Sequence, residues 1–234
     1  MHITELFLIG AIAILVVLSL LDKSKENVVT NKSSLSRVYY ETIALLWLPV
    51  VCLVIYLYFT ATPINSVGLT WSYQWKALTG LSLLVLLIAY FIYDLTVLVN
   101  DETKQKKLAE QMTSLAWFMP KTKPDLFIFT LGLSVSAGIC EELIFRGYIL
   151  NTLSEHVGIT FSVIVSSALF GLCHFYQGAF NVIRTFIIGI VFCLIYLSCE
   201  TIIIPIILHI VLDVYGGISS YIVRNSVKET SISL

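Results

Sequence analysis

The chain has 234 residues, 58% of them hydrophobic and only 12% charged, with a mean hydropathy of +0.91 and a net charge of −1. Soluble domains carry about a quarter charged residues, so this composition excludes them and points to an all-α, polytopic transmembrane helical bundle, multi-pass in a cell membrane. The 14 basic residues lie mostly between apolar runs and form no stripe, which argues against nucleic acid as a partner.

A helix needs about 20 apolar residues to cross ~30 Å of hydrocarbon. Seven runs qualify, at roughly 5–21, 41–61, 77–99, 126–150, 158–176, 180–198 and 201–223. The last three follow one another so closely that an eighth crossing or a re-entrant piece would also fit, giving about seven to eight spans. The first run has no small-residue cleavage site after it and passes directly into Asp22-Lys23-Ser24-Lys25, which predicts a retained anchor.

Lys23, Lys25, Lys32 and Arg37 lie in the first connection, and Lys104, Lys106, Lys107, Lys121 and Lys123 in the third. Basic residues concentrate in cytoplasmic loops, so both connections are expected inside, with the N-terminus outside. The C-terminal tail, with Arg224 and Lys228, is then also inside. In the third loop, Leu108, Met112, Leu115, Ala116 and Met119 are spaced as one face of an amphipathic helix at the inner membrane surface; a solvated linker is the equal alternative. The expected division is 1–124 for the N-terminal spans and that loop, 125–223 for a chemistry-bearing core, and 224–234 for a tail. The five cysteines form no CxxC and suggest neither a disulfide scaffold nor a zinc ribbon.

Intramembrane charge is concentrated in the second half of the chain. An ionised side chain near a bilayer centre costs on the order of 2.5 to 3.5 kcal/mol on insertion scales, so such residues usually face a protein-lined cavity and do chemistry or transport. In Cys140-Glu141-Glu142-Leu143-Ile144-Phe145-Arg146-Gly147, Glu142 and Arg146 are spaced i, i+4, in the order that favours an ion pair. Glu141 points away from that pair, which leaves it free to act as a general base. Ser134 and Gly138 make one face of this run small and open to close approach.

His174 closes the fifth run in Phe170-Gly171-Leu172-Cys173-His174, and the seventh carries His209 and Asp213 at i, i+4. Such a set can bind a metal, relay protons, or activate water and stabilise an oxyanion. Counted from the run ends, however, His174 falls near the cytoplasmic end of its span while Glu141 and His209 fall deeper. Convergence therefore requires that some run boundaries be wrong, or some helices tilted or broken.

Together, Glu141-Glu142-x-x-x-Arg146, Phe170-x-x-x-His174 and His209-x-x-x-Asp213 resemble the three ordered motifs of the CPBP (Abi) family, the CAAX proteases and bacteriocin-processing enzymes, over about residues 125–220. The resemblance implies an intramembrane endopeptidase acting on hydrophobic or lipid-associated peptides. Eukaryotic CAAX members remove a C-terminal tripeptide after a prenylated cysteine, and bacterial relatives are linked to bacteriocin immunity and to maturation of exported or pheromone peptides. It also implies that Glu141 activates a water together with His174, and that His209 and the residue four later stabilise the oxyanion. Position 213 is Asp where CAAX-type enzymes carry Asn. An ionised carboxylate can only accept hydrogen bonds, so Asp213 is protonated, or orients His209, or ligates a cation.

No HExxH is present, and the expectation is glutamate-driven hydrolysis without a cofactor, zinc on His174, His209 and either Glu141 or Asp213 being the alternative. Tyr93-Asp94 supplies half of an aspartyl-protease pattern and lacks its GxGD partner. Two other classes stay open: a proton- or cation-coupled transporter, and an idle peptide-binding or immunity protein. Arg184 and Glu200 read equally as site or helix-end residues. Small size and the lack of added domains fit a bacterial plasma membrane.

Overall fold

The computed structural model describes residues 2–21, 24–30, 33–70 and 75–232, so Lys23, Lys32 and the side chains of Lys25 and Lys228 lie outside the described residues. Among the described residues there are helices and no strand: α1 (Ile3–Leu21), α2 (Ser24–Val29), α3 (Leu35–Phe59), α4 (Trp75–Asn100), α5 (Glu102–Gln111), α6 (Lys123–Val157), α7 (Ile159–Leu172), α8 (Ala179–Cys199) and α9 (Ile203–Ile232). Six of them, α1, α3, α4, α6, α8 and α9, are long and apolar enough to cross a membrane. This is a helical membrane protein. Helix α9 runs on to Ile232, through most of the segment expected as a tail.

The fifth apolar run departs from expectation. Its helix, α7, has 14 residues, about 21 Å, and so falls short of the ~30 Å of a full crossing. Gly158, at φ 80°, lets the chain turn directly out of α6 into α7. After Leu172 the backbone leaves the α-helical path, makes one 3₁₀ turn at Phe175–Gln177 and turns again at Gly178, φ 102°. The early stop places His174 at the end of a partial crossing. The run's helical boundary thus lies four residues short of its apolar end, one of the departures that the convergence of the site requires.

Helix α6 is the spine. A capping box opens it, with the Thr122 side chain accepting from the Asp125 amide and Asp125 accepting from Thr122 N, and Pro124 stands in its first turn. Two stretches of π-helix, Ile128–Leu133 and Leu143–Leu150, flank the α-helical Ser134–Glu142. Such distortions often mark functional sites. The small face expected at Ser134 and Gly138 packs against α9: a Cβ on Gly138 would stand 2.5 Å from Ile210 Cγ1 and 3.1 Å from the Ile206 carbonyl oxygen. Gly138→Ala should therefore cost about 1–3 kcal/mol through overpacking, read as a lower melting temperature in detergent. An unchanged melting temperature would show that α6 and α9 part without cost.

Asp94 ties α4 to α5 and α9. It accepts from Lys104 Nζ at 2.6 Å and from the Tyr215 hydroxyl at 2.6 Å, while Phe91 stacks on Tyr215 with ring centroids 4.3 Å apart. These bonds commit the carboxylate to the fold, in place of the aspartyl-protease half-pattern. At the other end of α4, Lys76 pairs with Glu200, the left-handed cap of α8, which makes Glu200 a helix-end residue.

The third loop also differs from expectation. Helix α5 ends at Gln111, and 112–119 continues as turns. The Tyr39 hydroxyl donates to the Phe118 carbonyl at 2.6 Å, and Asn181 Nδ2 donates to Ser114 Oγ at 3.3 Å. Trp117, Phe118, Phe129, Tyr39 and Tyr176 form an aromatic cluster beneath the segment. Leu108, Met112, Leu115 and Met119 line a cavity inside the bundle, while Ala116, expected on the same face, is exposed and outside it. The apolar face of the loop thus covers the protein's own interior.

Candidate functional site

Three helices bring the predicted residues together: α6 carries Glu141, Glu142 and Arg146, the end of α7 carries His174, and α9 carries His209 and Asp213. Arg146 and Glu142 are fully buried, joined by a 2.9 Å bond from Arg146 Nη1 to Glu142 Oε1. The guanidinium also donates from Nη2 to the Gly189 carbonyl at 3.2 Å and lies 4.4 Å from the Phe170 ring centroid and 5.3 Å from that of Phe192. A buried charge without a partner is very costly, and here bonds and ring faces from α7 and α8 compensate it.

Glu142 Oε1 lies 2.9 Å from His209 Nδ1 as well. A carboxylate oxygen accepts, so Nδ1 carries the proton and Nε2 faces away from the pair. His209 Nε2 lies 3.7 Å from Glu141 Oε2 and 3.8 Å from Asp213 Oδ2. His174 is oriented by the same logic. Its Nδ1 donates to the Phe170 carbonyl at 2.8 Å, leaving Nε2 4.0 Å from Glu141 Oε2. Both imidazoles therefore aim Nε2 at one oxygen of Glu141, at distances too long for direct hydrogen bonds and suited to a bridging water. Among the described residues, Glu141 Oε2 is buried and has no hydrogen-bond partner.

The side chains of Glu141 and His174 are 13% and 14% exposed, and Asp213, at 38%, is the open member of the set. Glu141 and His174 stand where two cavities meet. One, of about 430 Å³, lies between α8, α9 and the third loop and also contains His209 and Asp213. The other, of about 380 Å³, runs between α1 and α3, its walls including Leu15, Leu18, Leu45, Phe145 and Trp117. A catalytic group between an apolar and a mixed cavity can meet a backbone that passes from one to the other. Among the described residues, no group of three or more His, Cys, Asp or Glu is set to hold a metal ion.

Phe192 and Gly189 on α8 were not singled out from sequence, although both touch Arg146. An apolar ring and a glycine in an apolar helix carry no signal that separates them from ordinary packing.

Residues 123–215 match the family model described as type II CAAX prenyl endopeptidase Rce1-like. The matched stretch begins at the start of α6, ends within α9 and contains all six residues of the constellation. No curated protein and no solved structure matches the chain.

Proposed function

Starting from a chain that belongs to the CPBP family through residues 123–215, we propose that it is an intramembrane endopeptidase of the CAAX-protease type, hydrolysing a peptide bond in a hydrophobic or membrane-associated peptide. The observation that carries this reading is the convergence of His174 Nε2 and His209 Nε2 on Glu141 Oε2, at 4.0 and 3.7 Å, where the two cavities meet.

A water held at Glu141 donates one hydrogen to the carboxylate and the other to His174 Nε2, which the Phe170 bond leaves as an acceptor. As the water oxygen attacks the carbonyl carbon, its proton passes to Glu141 and negative charge develops on the carbonyl oxygen. In its doubly protonated form His209 donates from Nε2 to that oxyanion while Nδ1 stays on Glu142. The C–N bond then breaks, and the proton on Glu141 goes to the leaving amine. Glu142 and Arg146 orient His209 without touching substrate.

The apolar cavity between α1 and α3 suits a hydrophobic segment or a lipid carried by the peptide. The third loop, assigned to the cytoplasm by its lysines, lines the other cavity, so the site is proposed to open to that side.

Asp213→Asn separates the roles open to Asp213. An asparagine can face His209 with Oδ1, as the carboxylate does at 3.8 Å, and can also donate to an oxyanion, so the variant should keep cleavage within about tenfold of wild type. Collapse of activity in Asp213→Asn would assign the carboxylate to a cation. The function itself is tested by incubating detergent-purified protein with quenched hydrophobic peptides, with and without a chelator. Cleavage indifferent to chelation is expected; loss on chelation, restored by zinc, would move the reading to the zinc alternative. Failure to cleave peptides that the protein binds would favour an idle binding protein.

A further inference from the structure

The cavity between α8, α9 and the third loop contains two carboxylates, Glu141 and Asp213, and Arg184 is the only lysine or arginine among its described lining residues. Arg184 is exposed toward this space and, among the described residues, is in no ion pair, even though Asp213 lines the same cavity. It stands a little over two turns before Phe192 on α8, about 12 Å along the helix axis, and the Phe192 ring lies 5.4 Å from that of His209. Asn181, one turn before Arg184, donates to Ser114, and Gln111, Gln177 and Asn181 also line the cavity. Amides and the guanidinium thus share the stretch of wall where the third loop meets the start of α8. Between Arg184 and the site the wall is apolar, at Ile188, Phe192 and Leu212.

We propose that Arg184 anchors the free C-terminal carboxylate of the peptide, and so sets both the direction in which substrate lies and the distance of the cut from the chain end. This rests on the endopeptidase reading above. An extended peptide advances about 3.3 to 3.6 Å per residue, so three or four residues beyond the scissile bond cover the ~12 Å of wall from Phe192, beside His209, to Arg184. The part of the peptide before the cut then lies toward the apolar cavity between α1 and α3. An anion held nearer the site would face the carboxylates of Glu141 and Asp213, so Arg184 favours substrates whose negative end is at that distance.

The test uses the Glu141→Gln protein, which binds without turnover, and one fluorescent hydrophobic peptide made as the free acid and as the C-terminal amide. The free acid should bind about tenfold more tightly, the range of a charge-assisted bond at a partly exposed site. Adding Arg184→Gln should bring the ratio to about one, and Arg184→Lys should retain part of it. Because Arg184 is exposed and outside the described ion pairs, these substitutions leave packing intact. Equal binding of acid and amide, or a preference that survives Arg184→Gln, overturns the proposal. Equal weakening of both peptides, suppressed by anionic lipid, would assign Arg184 to a lipid headgroup and overturn it too. With the Glu141-intact protein, cleavage indifferent to the terminal charge overturns this inference and leaves the protease; an acid preference in binding without any cleavage supports Arg184 and contradicts the protease.

Discussion

Glu141→Gln should reduce cleavage of every peptide the wild type cuts by at least about a hundredfold, while peptide binding and melting temperature stay near wild type. General-base catalysis contributes about 10²–10⁴-fold, and glutamine keeps the shape of glutamate while losing the ability to take a proton. Glu141 is suited to this separation of activity from stability because it stands apart from the buried ion pair. Its Oε2 has no hydrogen-bond partner among the described residues, and the two imidazoles approach it only to 4.0 and 3.7 Å. Removing its charge breaks no structural bond. Activity within about tenfold of wild type, in a protein that melts normally, would place water activation elsewhere.

Arg146→Leu should act in the opposite way, through the fold. Breaking a buried ion pair by removing one partner costs about 3–5 kcal/mol because the other charge is left uncompensated. Here the orphan is Glu142, fully buried, with His209 as its remaining partner. The substitution also removes the bond to the Gly189 carbonyl and the contact with the faces of Phe170 and Phe192, which link α6 to α7 and α8. Denaturation in detergent should show the loss. Arg146→Leu combined with Glu142→Leu should recover much of it, since apolar residues can replace a buried pair at little net cost. The double variant should still lose activity, because His209 no longer has an acceptor for Nδ1. An Arg146→Leu protein as stable as wild type would show that the pair is not what locks α6 against its neighbours.

The helical class and the position of most spans were legible because apolar length is the direct requirement of a bilayer. The fifth run falls short of a full crossing, within the re-entrant alternative, because hydropathy does not register where a helix stops: 158–176 is mostly apolar, yet Gly158, the 3₁₀ turn after His174 and Gly178 shorten it to α7. The third loop shows a related limit. The periodicity of Leu108, Met112, Leu115, Ala116 and Met119 identified an apolar face of which all but Ala116 line the cavity, but spacing does not say whether a membrane or the protein's own cavity covers it.

Within the site, the i, i+4 relations of Glu142 with Arg146 and of His209 with Asp213 could be read directly, since each pair shares one helix. The meeting of Glu141, His174 and His209 could not, because spacing along a chain carries no distance between helices. Arg184 was ambiguous from sequence. Its place on the cavity wall, opposite in charge to Glu141 and Asp213, appears only in three dimensions.

The most direct test of water activated by Glu141 is the product of cleavage in oxygen-18 water with hydroxylamine present. Detergent-purified protein is incubated with a hydrophobic peptide that it binds, and the newly formed C-terminal end is weighed by mass spectrometry. Direct attack by water predicts one heavy oxygen in the new carboxylate, no hydroxamate, and at least about a hundredfold less product from Glu141→Gln. A hydroxamate would reveal a covalent acyl intermediate, and an unchanged yield in Glu141→Gln would remove the proposed base; either result contradicts the mechanism.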